Sequence, residues 1–223
     1  MVRNSRQWVR RIEQALSATF TPMSVFPPAS LIAPEVPFRD VRQTAARAAD
    51  STAPRGGFVT EGGETWYRID GVDRMPPFFM ALAGDSDLWA YVSTAGSLTA
   101  GRRDAEGAFL PYETVDKIHL RGEHTGPRTW VWIEDGGAPV LWQPFVRAFD
   151  RSAGHCSVWK NLSGTRIRFR DDHPSGRLAF EYEWFTAAGL GLVRSARLSA
   201  PKGPVRVRVL DGVLNLIPPG VGV

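Results

Sequence analysis

Period-two alternation in the second half of the chain constrains its fold more than any other feature of the sequence. Ile167 and Phe169 alternate with Arg166, Arg168 and Arg170, and Val205, Val207 and Val209 alternate with Arg206 and Arg208. Successive side chains of a strand point to opposite sides, so each segment buries one face and wets the other. Between Phe180 and Trp184 the buried set is Phe180, Tyr182 and Trp184, and Glu181 and Glu183 face outward with charge opposite to the arginine rows. Cross-strand pairs of that kind contribute about 0.2–1 kcal/mol each. The arginine rows are therefore expected to form a solvated, Glu-matched sheet face and not a ligand groove.

The same grammar runs from Gly57 onward: short aromatic and β-branched runs separated by Gly, Pro and Asp clusters. Nine runs read as strands: 65–69, 78–83, 88–93, 129–134, 155–160, 165–170, 178–185, 192–198 and 205–210. Parallel strands, covered on both faces, have no need of such alternation. The expected fold over 58–223 is thus a mainly all-β, two-sheet antiparallel β-sandwich, with Ile167, Phe169, Phe180, Tyr182, Trp184, Val207 and Val209 buried. Residues 1–57 read differently. Trp8, Val9, Ile12 and Leu16 stand at helical spacing, predicting a short amphipathic helix over 5–18, and the stretch 21–57 is a Pro- and Ala-rich arm with one or two helical turns near 41–49.

Composition excludes several functions. The net charge of +4 comes from 27 Lys and Arg set against 23 Asp and Glu dispersed along the chain, without a helix-turn-helix or RNA-binding motif; nucleic acid is not an expected partner. No apolar run reaches the roughly 18–20 residues of a membrane span. The basic start is followed by 12–20, which holds a Glu and no long apolar stretch, unlike a signal peptide. One cysteine, Cys156, cannot close an internal disulfide. A cytoplasmic location is the expectation.

The sequence has no phosphate-binding P-loop, no dinucleotide GxGxxG after a strand and no GxSxG elbow. The histidines at 119, 124, 155 and 173 are scattered, and no CxxC or HExxH pattern accompanies them, so neither a metal nor another cofactor is expected. The pairs Asp85 with Asp87 and Asp171 with Asp172 have the right chemistry for acid and base. Their Gly, Ser and Pro neighbours point instead to turn construction. Eight tryptophans invite a sugar-stacking role, yet Trp130 and Trp132, sharing one face of a strand, fit a core layer at least as well.

One stretch carries a family resemblance. Residues 76–118, followed by the pair of strands in 129–145, resemble the N-terminal β-sandwich of cellobiose phosphorylase and related glycoside phosphorylases, at Ser93, Thr94, Gly96, Gly101, Arg102, Arg103, Tyr112, Trp142 and Pro144. Residues 159–218 look like the rest of that domain, so the resemblance covers about 58–220 and implies a galactose-mutarotase-like super-sandwich. In that family a helical toroid follows, carrying the acid that protonates the glycosidic oxygen and the residues that hold phosphate, the nucleophile of the inverting reaction. No residue of this chain matches those roles.

The resemblance therefore implies a non-catalytic module that scaffolds or borders a sugar site, in a gene fragment, a split protein or a standalone relative. The alternative is a lectin-like carbohydrate-binding module; a complete small hydrolase is a third possibility with no compelling acid/base pair. Should sugar be contacted, Arg102, Arg103 and Asp104, with Asp116, Lys117 and Trp142, are the candidate residues. The partners expected are an oligosaccharide and either a helical catalytic chain or a second copy. The latter follows from Val213, Leu214, Leu216, Ile217, Val221 and Val223, an apolar segment whose only charge is Asp211.

Overall fold

The computed structural model describes residues 53–84, 86–114, 116–146, 155–187 and 189–218. Among them are twelve strands and two 3-10 turns, every strand pairing being antiparallel. No helix among the described residues is long and apolar enough to cross a membrane. The expected N-terminal helix and most of the arm lie outside the described residues.

The alternation locates the faces. Strands β1 (Arg55–Glu61) and β2 (Glu64–Asp70) form a hairpin closed by Gly62 and Gly63. Both glycines have positive φ, 60° and 81°, which a two-residue type I′ turn requires and a side chain resists. The chain then leaves this sheet to build β3 (Phe79–Ala81), β4 (Leu88–Ser93), β5 (Leu98–Arg102), β6 (Gly126–Ile133) and β7 (Val140–Trp142). It returns as β8 (His155–Asn161) alongside β2 and continues through β9 (Arg166–Asp172), β10 (Ala179–Ala187) and β11 (Gly191–Ser199). Finally β12 (Val207–Leu214) pairs with β6. The result is a six-stranded sheet, β1-β2-β8-β9-β10-β11, and two three-stranded sheets, β12-β6-β7 and β3-β4-β5.

All three sheets feed one core, the pattern of a sandwich in which facing layers interdigitate. Val158, Ile167, Phe169, Phe180, Tyr182 and Trp184 come from the large sheet, Leu88, Ala90, Val92, Leu98 and Ala100 from β4 and β5, and Val131 and Trp142 from β6 and β7. Phe145 inserts edge-on against Tyr182 at 5.0 Å, and Tyr182 stacks on Phe169 at 5.0 Å.

The outer face of the large sheet is more than a wet surface. Register sets Arg168 opposite Glu183 and Arg170 opposite Glu181, matching the charges as expected. Arg168 Nε donates to Glu183 at 2.9 Å and Arg166 Nε does so at 2.6 Å. The expectation of solvation is corrected at Glu183, which is 5% exposed because the two guanidiniums close over it. Burial alone would lower the Arg168 pKa, but the Glu183 hydrogen bond and charge outweigh it and the value rises. The same arginines roof Trp66, at 4.6 Å and 5.7 Å from its ring, and Arg68 covers Trp159 at 4.9 Å.

Four further expectations change. Val209 is 47% exposed and Val207 half-buried, because β12 is an edge strand of a small sheet and is flanked on one side only. Trp130 and Trp132 are half-buried on the face opposite Val131 and form no core layer. Asp171 and Asp172 belong to β9 and not to the turn that follows it. Strands β1, β5 and β7 fall outside the nine runs; β1 begins at Arg55, inside the stretch read as an arm.

Candidate functional site

The alternation in β4 sends Leu88, Ala90 and Val92 inward and leaves Trp89 and Tyr91 on the outer face of the β3-β4-β5 sheet. There the rings form a row. Phe79 lies 6.2 Å from Tyr91, Tyr91 lies 6.3 Å from Trp89, and Trp89 lies 5.8 Å from Tyr112. The ends are open, with Phe79 41% and Tyr112 52% exposed. Trp89 is held against the backbone of β5 because its cross-strand partner is Gly101. A Cβ at Gly101 would stand 2.3 Å from the indole and 2.7 Å from the Cα of Ala108. The indole Nε1 donates to the Asp104 carbonyl at 3.1 Å, which fixes the ring's rotation.

Polar groups border both ends of the row. At the Trp89 end, Asp87 accepts from Arg102 at 2.9 Å and pairs with Arg103 at 3.5 Å. Arg103 has a φ of 64°, a left-handed conformation that costs a non-glycine residue about 1 kcal/mol or more. Its backbone N–H donates to the Asp87 carbonyl at 2.8 Å, so Asp87 holds both its main chain and its side chain. Asp104 accepts from the Gly107 N–H at 3.1 Å. At the other end, fully buried Ser93 meets His119 Nδ1 at 2.8 Å. In mid-row, opposite Tyr91, the Thr99 hydroxyl donates to the Pro111 carbonyl at 2.8 Å, and next to Tyr112 Glu113 pairs with Arg121 at 3.0 Å.

The structure gathers Arg102, Arg103 and Asp104 at one border of the row. Asp116 and Lys117 lie elsewhere, ahead of the 3-10 turn Ile118–Leu120, whose Ile118 carbonyl accepts from Ser97. Ser97 precedes β5 and Arg102 ends it, so about 17 Å of strand separates the two groups. Asp116 is solvent-exposed, and a hydrogen bond from Thr114 holds its carboxyl below the usual range. Trp142 faces the core at 8% exposure with His173 edge-on at 5.1 Å, so its ring is already covered. Burial lowers the His173 pKa. Of the row itself, only Tyr112 stood out in the sequence. The missed signal was the alternation in 88–92, where Trp89 and Tyr91 hold the positions opposite the apolar set.

Asp87 stays outside β4, and Ser86 accepts from the Leu88 N–H at 3.3 Å, as a turn residue should; Asp85 lies outside the described residues. Among the described residues no group of three His, Cys, Asp or Glu is placed to hold a metal ion. What the row offers chemically is a half-exposed aromatic strip whose rings meet mostly edge to face, with Arg102, Arg103 and Asp87 beside Trp89. This suits a ligand with flat C–H surfaces and peripheral hydroxyls. Fold and surface together define an all-β, sandwich-like protein with an aromatic strip. No protein-family model matches the chain, and no curated protein sequence matches it either.

Proposed function

We propose that this chain is a non-catalytic β-sandwich module of a carbohydrate-active, glycoside phosphorylase-like protein, acting in the cytoplasm, and that it borders a sugar site with the row Phe79, Tyr91, Trp89 and Tyr112. The observation that carries the proposal is the continuity of these four rings on one outer face, bordered by Arg102, Arg103 and Asp87. Seven of the nine positions that carry the family resemblance support it: Ser93, Thr94, Gly96, Gly101, Arg102, Arg103 and Tyr112 lie on β4, on β5 or on the loops that frame the row, whereas Trp142 and Pro144 lie on and after β7. On this reading the acid and the phosphate site belong to a helical partner.

A lectin-like module that binds sugar alone is the second reading, favoured by the exposure of Phe79 and Tyr112. Calorimetric titration with cello-oligosaccharides separates the two. A lectin should bind with Kd below about 1 mM, equivalent to roughly −4 kcal/mol. A bordering module should bind more weakly, with the residual affinity and the change in tryptophan fluorescence both lost in Trp89→Ala. Complete absence of binding, with fluorescence unchanged at saturating sugar, would refute sugar contact by this face.

A further inference from the structure

Between β3 and the inner faces of β2 and β8 lies an open groove of about 580 Å³; it shares strand β3 with the aromatic row but none of the row's four rings lines it. Its volume falls in the roughly 300–1,000 Å³ range of small-molecule sites. Tyr67, Ile69, Phe78, Met80 and Val158 make the lining mostly apolar, and among the described residues it contains no Asp or Glu. Phe58, 68% exposed, meets Tyr67 edge-on at 5.1 Å and carries the apolar surface out to the sheet edge.

Among the described residues Lys160 is the one charged side chain in the groove lining. Register places it between Tyr67 on β2 and Ile167 on β9, neither of which offers a counter-charge. Its stem runs under the β8–β9 turn, close enough that a Cβ on Gly164 would meet its Cε at 3.5 Å. No ion pair to Lys160 is formed among the described residues. The open groove lets the Lys160 stem lie on apolar surface with its ammonium at the water boundary, where it is available to an anion. Lysine is scarce here, only residues 117, 160 and 202 against a large excess of arginine. Its compact ammonium suits a single anionic head, whereas a guanidinium suits a bidentate one.

We propose that this groove binds a small amphiphile whose acyl chain lies along Phe78, Met80 and Tyr67 and whose single anionic head, carboxylate or phosphate, meets the Lys160 ammonium. The assignment is independent of the sugar-facing role of the aromatic row. Decanoate and decyl phosphate, titrated calorimetrically into the full chain, provide the test, and the tighter of the two identifies the head group. One equivalent should bind, Lys160→Met should weaken binding at least tenfold, and Lys117→Met should leave it unchanged. A second measurement needs no variant: the bound anion should slow acetylation of Lys160 by an N-hydroxysuccinimide ester while Lys117 and Lys202 react normally, read by mass spectrometry. Failure of both anions to bind, binding unchanged in a folded Lys160→Met chain, or unslowed acetylation of Lys160 overturns the proposal.

Discussion

Gly101→Ala is a test in which two physical effects have opposite signs. Gly101 sits in β5 without the positive φ that would demand glycine, so backbone conformation alone allows alanine. Replacing glycine where the conformation is permissive ordinarily stabilises by about 0.4–1 kcal/mol, through the unfolded chain. Here the new methyl would lie 2.3 Å from the Trp89 ring and 2.7 Å from the Ala108 Cα. The indole is a side chain and can shift, but the Ala108 Cα, a backbone atom, has no such freedom. Overpacking of this kind costs about 1–3 kcal/mol. Set against the gain, the net loss is about 0–2.6 kcal/mol, which for a chain of this size lowers Tm by up to about 10 °C. Gly57→Ala on β1 is the control, since nothing lies within 4 Å of its added methyl; it should be neutral or slightly stabilising. Urea unfolding of both variants, and of Gly101→Ala in a Trp89→Ala background, measures the effect. The second background should recover part of the loss and not all, because Ala108 stays in place. A Gly101→Ala chain stabilised over the parent as Gly57→Ala is would refute the close fit of Trp89 on β5.

Further predictions concern the outer sheet, pH, turnover and association. Glu183→Ala leaves Arg168, whose side chain is only 14% exposed, without its buried partner, and should cost about 3 kcal/mol in urea unfolding; a loss under about 1 kcal/mol would show the network to be superficial. Burial raises the Asp171 pKa against an opposing hydrogen bond from the Phe145 N–H. The folded carboxyl thus takes its proton at higher pH than the unfolded one, and its charged form weakens the fold at neutral pH. The cost fades as pH falls toward the unfolded value near 3.9, so any stability advantage of Asp171→Asn should shrink from about pH 7 to pH 4; an advantage that grows on acidification would contradict this. The purified chain should neither phosphorolyse nor hydrolyse β-glucosides, and turnover abolished by one carboxylate substitution would overturn the non-catalytic reading. Val209 and Leu210 are exposed on opposite faces of the edge strand β12, so the chain should self-associate or gain solubility from a helical partner. Sedimentation as a clean monomer, with no such gain, would count against it.

The fold was legible wherever one face of a strand is apolar and the other charged. Ile167, Phe169, Phe180, Tyr182 and Trp184 are all buried as the alternation requires. It misled at β12, where alternation persists although the strand sits at an edge, because the pattern records which face a residue occupies and not whether anything covers that face. Trp130 and Trp132 show the same ambiguity from the other side: two large rings in one strand fit a core or an open surface equally, and only the register with Leu210 and Leu141 assigns them to the outer face. Arg102, Arg103 and Asp104 could be singled out together because neighbours in sequence stay neighbours in a loop. The row they border was not, since Phe79, Trp89 and Tyr112 meet through pairing between strands and a loop distant in sequence.

The arginine roof over Trp66 and Trp159 gives the large sheet a second dry layer on its outer side. These rings are 1% and 5% exposed although they share a face with rows of charge. Side chains that a hydropathy profile scores as surface, Arg68, Arg166 and Arg168, therefore act as the outermost packing of a hydrophobic stratum. An alanine scan of this domain should find arginines that behave like leucines. Tolerance to substitution across this face will follow the positions of two buried indoles and not the distance from water.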